Sequence, residues 1–125
     1  MDVVTLARRK SLRDITSGAI SSIPKVNRIV LGDGGVDANG DPKEPSEDMT
    51  ALFHQVAEYQ VEEVEYPDDL TARYRIVVPE DELGGVSISE AGLMDEAGTL
   101  CSIKTFYIKR KDLDVEFELK FDDQF

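Results

Sequence analysis

The chain contains one histidine, His54, and one cysteine, Cys101, the two residue types that could form a thiol nucleophile and its base. They fall in separate predicted elements, and nothing beyond their presence links them. We expect both to be structural, with Cys101 a small apolar residue of a strand. A single cysteine also excludes an internal disulfide and a multi-cysteine metal site.

A loop rich in Asp, Asn and Gly suggests a second kind of chemistry, cation binding. Asp37, Asn39 and Asp41 alternate as at the start of an EF-hand loop, with Asp48 at the twelfth position. However, Pro42 stands where the sharp turn of that loop needs glycine, and a strand precedes the loop. Asp and Asn also favour turns through their own side chains. We therefore predict an acidic loop without a metal or cofactor, and these three residues are candidate ligands only.

Two further sequence patterns could supply chemistry, a glycine-rich segment for phosphate binding and acidic runs for hydrolysis. Residues 32–35, Gly-Asp-Gly-Gly, follow a predicted strand, but they lack the spacing of a dinucleotide-binding loop and the Gly-Lys-Ser/Thr ending of a P-loop. Acidic runs at 62–65 and 80–82 could supply paired carboxylates for hydrolysis, but nothing marks either as buried. Since no catalytic arrangement emerges, we predict that the protein is not an enzyme.

Charge is divided unevenly along the chain. Residues 1–31 hold six basic and two acidic residues, a net +4, and residues 32–125 hold eight basic and 24 acidic residues, a net −16. An acidic body repels phosphates and anionic lipids, so we expect neither nucleic acid nor a membrane as a partner. The basic segment either stays with its own chain, packed on the acidic body or simply solvated, or reaches a neighbouring subunit or an acidic partner. Both alternatives stay open at this point.

The elements that position these residues can be predicted from periodicity and turn residues. A helix is expected near the N-terminus, beginning at Val3 or at a capping box on Ser11 and closed by Pro24. A short helix could begin at Ser46, unless the chain passes directly into strand. Strands are expected at 26–31, 55–66, 71–78, 86–94, 99–108 and 113–121.

These elements predict an α+β fold, with an N-terminal helix packed on a mostly antiparallel β-sheet or β-sandwich of about five to six strands. At 125 residues the chain fits one domain. We expect a single domain over 1–125, with a basic N-terminal helix in 1–24 and an acidic β-rich body in 25–125.

Three segments in a fixed order resemble a known family. They are K-V-N-R-I-V-L-G-D-G-G at 25–35, T-A-L-F-H-Q-V at 50–56, and the stretch at 77–100 that contains I-S-E-A-G-L-M-D-E-A-G-T-L. This combination, over roughly 25–106, resembles the N-terminal domain of phage tail-collar fibre proteins, found on contractile-tailed phages and prophages. The helix preceding it fits the opening of that family as well.

The resemblance implies a structural role in the virion tail, with assembly in the bacterial host cytoplasm. It implies a fibre-base domain that attaches a fibre to the baseplate, with other tail and baseplate proteins as partners and a possible homotrimer. In that family a fibre shaft and a receptor-binding tip follow this domain. The sequence ends at Phe125, so we do not carry over receptor recognition from the family. The alternative is a cytoplasmic β-rich module that binds a small molecule or metal. The candidate docking residues are Arg8, Arg9, Lys10, Arg13, Gly32, Asp33, Gly34 and Gly35.

Overall fold

The computed structural model describes residues 1–125, which form two antiparallel β-sheets and one short helix. The larger sheet has five strands in the order β1-β7-β6-β2-β3, and the smaller has three in the order β4-β5-β8. The bounds are β1 Asp2–Val4, α1 Leu6–Ser17, β2 Val26–Gly32, β3 Gln55–Gln60, β4 Glu63–Asp68, β5 Thr71–Val78, β6 Ser87–Asp95, β7 Leu100–Arg110 and β8 Phe117–Gln124.

The main core lies between the two sheets. Alternate residues of each strand point to opposite faces, so the inward set of β2 is Ile29 and Leu31, and that of β8 is Leu119 and Phe121. Residues of β5, β6 and β7 complete this cluster. The sandwich is therefore held by apolar side chains that both sheets contribute, the main favourable term in folding.

A second, smaller core covers the outer face of the five-stranded sheet. Val30, between the two inward residues of β2, points outward and packs with Leu100 and Ile103. Leu52, in the connection 33–54, completes the cluster. The connection is thus a packed cover over this sheet face, and both faces of the larger sheet are shielded from water.

The helix α1 begins one residue after Thr5 and ends at a glycine. The Thr5 hydroxyl accepts the Arg8 amide at 3.3 Å and donates to the Leu100 carbonyl at 2.6 Å. Gly18 adopts a left-handed φ of 84°, which stops the helix at low steric cost. The helix therefore ends at Ser17, and the predicted end at Pro24 is wrong. The predicted capping box on Ser11 is wrong, because Thr5 is anchored to β7 and sets the helix start. Moreover, α1 has no buried residue, so it is a minor part of a β-rich fold.

Most strand predictions are confirmed, and three differences have physical reasons. The expected single strand at 55–66 is two strands, since β3 joins the larger sheet and β4 the smaller. The three-residue β1 was not predicted and is defined only by its pairing with β7. No helix begins at Ser46; the chain runs through turns into β3. The eight strands therefore exceed the five to six expected.

The last predicted strand begins later than its sequence pattern indicates. The predicted strand includes Leu113 and Val115, but both are exposed and precede β8. Asp114 has a φ of 58°, in the left-handed region where a strand cannot continue. A turn at this position is what brings the chain from the larger sheet to the smaller.

Burial of the Cys101 thiol predicts a loss of stability at alkaline pH. Burial, with a smaller effect of the Asp95 carboxylate, raises the pKa of Cys101 from 9.0 to about 11. The unfolded thiol ionises first, so the stabilisation is complete below about pH 9 and is lost as pH rises through about 11. We expect the free energy of unfolding, measured in urea, to fall by roughly 2–3 kcal/mol over this window.

The variant Cys101→Ala should flatten this decline. Tyr59→Phe is the matched control, because burial raises the pKa of Tyr59 from 10.0 to about 12 and its contribution is therefore lost only above about pH 10. The control should keep the decline between pH 9 and 10. An unchanged decline in Cys101→Ala would contradict the assignment.

Candidate interaction surface

A buried carboxylate joins the three sequence segments that resemble the family. Glu90, in β6, is fully buried and points to the outer face of the five-stranded sheet. Its Oε2 accepts the Gly34 amide at 2.9 Å and the His54 amide at 2.8 Å, and its Oε1 accepts the Phe53 amide at 2.8 Å. Such charge-assisted bonds compensate the cost of burying the carboxylate. Glu90 therefore fixes both ends of the connection 33–54 on one strand.

The glycines of the 32–35 segment are required by close packing. A Cβ on Gly32 would lie 2.4 Å from the His54 carbonyl oxygen, and one on Gly35 would lie 2.2 Å from the Ser89 carbonyl oxygen. The Gly35 amide also donates to the Ser89 hydroxyl at 2.9 Å. These glycines thus let two loop ends pack on β6 at backbone contact distance.

This packing presents four exposed or partly exposed side chains, which we call the motif platform: Asp33, Lys43, Phe53 and His54. The His54 ring nitrogen Nδ1 contacts the Asp33 carboxylate, and the His54 side chain is 71% exposed. The Lys43 ammonium lies 4.6 Å from the centre of the Phe53 ring, which is 40% exposed. An aromatic ring, a histidine and both charge signs on a rigid support are suited to contacting another protein.

Arg8 lies in the chain's own interior rather than on a docking surface. Its Nη1 donates to Asp123 Oδ1 at 2.7 Å, and its Nη2 lies 2.6 Å from Oδ2 as an ion-pair contact. The side chains of Arg8 and Asp123 are 12% and 2% exposed. The ion pair links α1 to β8 in the smaller sheet, and Arg8 also stacks 5.0 Å above the Phe125 ring. For Arg8, packing on its own body is the alternative that the structure shows.

The other basic candidates are exposed. Arg9 pairs with Glu47 at 2.9 Å, Arg13 pairs with its neighbour Asp14 at 2.8 Å, and Lys10 is exposed. Lys10 and Arg13 thus lie on the open side of α1. They are separate from the glycine segment, so the structure does not assemble the eight candidates into one site.

The candidate calcium ligands form a turn. Asp37 Oδ1 accepts the amides of Asn39 at 2.8 Å and Asp41 at 3.1 Å, and Gly40 follows with a φ of 82°. This use of the Asp37 carboxylate is the turn chemistry expected of Asp. No group of three or more His, Cys, Asp or Glu side chains in the structure could hold a metal ion.

The remaining chemical candidates are also dispersed. Cys101 lies in the core between the sheets, and His54 lies on the outer cover, so the two do not meet. The 62–65 acids face Arg75 and Lys120 across strands of the smaller sheet. A similar pair joins Arg73 and Asp122, where the hydrogen bond from Arg73 lowers the pKa of Asp122. These charges form a solvated ladder of cross-strand pairs.

A cleft of about 330 Å³ lies between α1, the 23–26 segment and β4, with half of its lining residues hydrophobic. Of its charged residues, Arg8 binds Asp123, and the Asp95 carboxylate accepts the amides of Ala97 and Thr99. Lys25 is the remaining charged residue of the lining. Because Arg8 and Asp95 already bind their own chain, the charged groups do not converge on the cleft as a ligand site requires.

The fold and this surface define a class of protein: a small antiparallel β-sandwich whose motif platform is held in place by hydrogen bonds to Glu90. The chain belongs to the family of the phage tail-collar fibre protein, N-terminal, whose model matches residues 15–116. It is therefore a structural domain of a phage tail fibre, a component of the virion tail. A search among curated proteins finds no match to the chain. Its one helix is too short and too polar to span a membrane.

Sequence reasoning did not identify Glu90, Phe53 and His54 as parts of a site. All three lie inside the segments that carry the family resemblance, so the signal was present. The sequence pattern does not show that these three residues meet in space. Their contact depends on the pairing of β2 with β6, which places Gly32 opposite Glu90.

Replacement of the buried carboxylate should loosen the platform. We expect Glu90→Gln to lower the free energy of unfolding by about 2–4 kcal/mol, because an amide NH₂ would face a backbone N–H. Urea unfolding measures the loss, with the exposed Glu96→Gln as the matched control. A Glu90→Gln variant as stable as the control would show that these hydrogen bonds do not hold the connection.

Two of the three arginine pairs of α1, those of Arg8 and Arg9, give a second, internally controlled prediction. Arg8→Ala leaves the Asp123 carboxylate buried without its cation, so we expect a loss of roughly 3 kcal/mol in the free energy of unfolding. Arg9→Ala breaks a pair whose side chains are 60% and 51% exposed, and we expect a change within about 1 kcal/mol. Equal effects in thermal or urea unfolding would contradict the difference in burial.

Proposed function

We propose that this chain is a non-catalytic fibre-base domain that attaches a tail fibre to the baseplate. The observation that carries the proposal is the convergence of the three family segments on Glu90, which gives the motif platform a rigid support. A preformed surface loses little entropy on binding, so it suits a permanent structural contact. Such a role requires no nucleophile, base or metal. It is also consistent with charged side chains that form ion pairs with other side chains of the same chain.

We further propose that residues 1–125 fold as one unit, with other tail proteins as partners. Strand β1 and helix α1 are joined to the body through β7 and the Arg8–Asp123 pair, so the basic segment is built into the sandwich. Lys10, which forms no ion pair, and Arg13, which pairs only with its chain neighbour Asp14, remain as the basic contacts available to an acidic partner. A homotrimer of this domain would follow the threefold assembly that the resemblance implies for a fibre.

Assembly of the tail tests the platform. In particles of the phage or prophage that encodes the chain, we expect Phe53→Ala with His54→Ala to reduce the amount of this protein per purified particle at least roughly tenfold. The loss follows from removing the aromatic and histidine contacts while leaving Glu90 in place. Immunoblotting of purified particles against a major tail protein measures it.

Tyr66→Ala is the matched control, since Tyr66 is 76% exposed on β4 in the other sheet. It should be incorporated as the native protein is. The proposal fails if the platform variant folds normally, as judged by thermal unfolding, and is still incorporated at the native level. A variant with Lys10→Glu and Arg13→Glu tests the second contact in the same assay.

A further inference from the structure

A cleft of about 280 Å³ opens between the two sheets where β7 and β8 face each other without pairing. Its lining includes three phenylalanines, three lysines and one acid: Phe106, Phe117, Phe121, Lys104, Lys109, Lys120 and Glu118. The apolar floor continues the main core, since Phe106 and Phe117 pack against it. The sandwich therefore leaves part of its core accessible along this side.

The lysines give the cleft a positive rim. The Lys104 ammonium lies 4.8 Å from the centre of the Phe121 ring, and that of Lys109 lies 5.3 Å from the Phe106 ring. Of the three lysines, only Lys120 is in ion pairs, with Glu65 and Glu118. In a chain of net charge −12, this is a local positive surface beside apolar rings. It fits a ligand that is both apolar and acidic.

The strands that border the cleft also have free edges. β8 is the last strand of its sheet, so one of its sides has no partner. β7 pairs with β1 only through residues 102–104, and its remaining length has a partner on one side alone. Unpaired backbone groups of this kind bind extended segments by adding a strand.

The chain itself carries a segment with the complementary chemistry. Residues 112–116 read Asp-Leu-Asp-Val-Glu, and they lie outside both sheets. Leu113 is 74% exposed and Val115 is 51% exposed, and three acids alternate with them. A turn at Leu113 and Asp114, with a left-handed φ at Asp114, interrupts the extended course of this segment. The pattern is that of a strand that has no sheet in its own chain.

We propose that residues 112–116 of one copy dock in the β7–β8 cleft of a second copy. Leu113 and Val115 cover the partly buried rings of Phe106 and Phe117, and the neighbouring carboxylates meet Lys104 and Lys109. The segment cannot fill its own cleft, because it runs directly into β8 and a strand cannot fold back on its neighbour without a turn of at least about two residues. This contact goes beyond the proposed attachment and uses a different surface.

The symmetry of the proposed contact follows from the difference between its two sides, the segment of one copy and the cleft of the other. Segment and cleft are different surfaces of one chain, so the contact is head-to-tail. Head-to-tail contacts close into rings when the rotation permits and otherwise extend as filaments. In either case each copy donates one segment and accepts one.

Light scattering at increasing protein concentration, in low and in physiological salt, tests the proposal. We expect the mass of the native chain to rise from 13.9 kDa toward multiples of that value, with weaker association in higher salt. The cleft variant, Lys104→Glu with Lys109→Glu, and the segment variant, Leu113→Ser with Val115→Ser, should each weaken association at least roughly tenfold.

Mixing the two variants separates this contact from any other. Each variant retains one intact half, so an equimolar mixture should form a one-to-one dimer, although neither variant associates alone. Thermal unfolding checks that both variants are folded. The proposal is overturned if the native chain stays monomeric at every concentration, even if its cleft binds an acidic peptide. It is also overturned if the variants associate as the native chain does, or if the mixture stays monomeric.

Discussion

The buried carboxylate of Glu90 is the constraint on which the outer half of the molecule depends. A charge with no exposure is costly unless its oxygens are fully hydrogen-bonded, and here three backbone amides from two loop ends provide those bonds. Neither loop end can move without leaving the carboxylate unsatisfied. The requirement thus fixes the connection 33–54 in place, and Leu52 of that connection then closes the second core.

The outer faces of the two sheets are adapted to solvent in different ways. On the outer face of the five-stranded sheet, apolar residues are covered by a loop, and the exposed remainder becomes the motif platform. On the three-stranded sheet, cross-strand pairs such as Arg73 with Asp122 keep the outer face charged. Between β7 and β8, in contrast, a cleft lined by phenylalanine and lysine side chains opens onto the core. The rigid platform and the open cleft therefore offer a structural protein two contacts of different kinds.

The sequence predicts elements well where the pattern is local. Strand β5 has the bounds that its β-branched run and Pro79 indicate, and the β6–β7 hairpin follows from the turn residues at 95–98. It fails where a distant partner decides the outcome. β1 exists because β7 pairs with it, and Thr5 caps α1 because it is anchored to β7. The site has the same limit, since its residues lie within family segments but meet only through long-range pairing.

The pairing of β1 with β7 has a consequence for the order in which the molecule forms. Residues 2–4 bond to residues 102–104, almost the full length of the chain away. Contacts of such sequence separation are slow to form, because a long loop must close first. During synthesis, the N-terminal strand and helix emerge first but must wait for β7 before they can dock. Residues 2–17, although synthesised before β7, are thus among the last to be fixed, and until then one side of the larger sheet lacks its final strand.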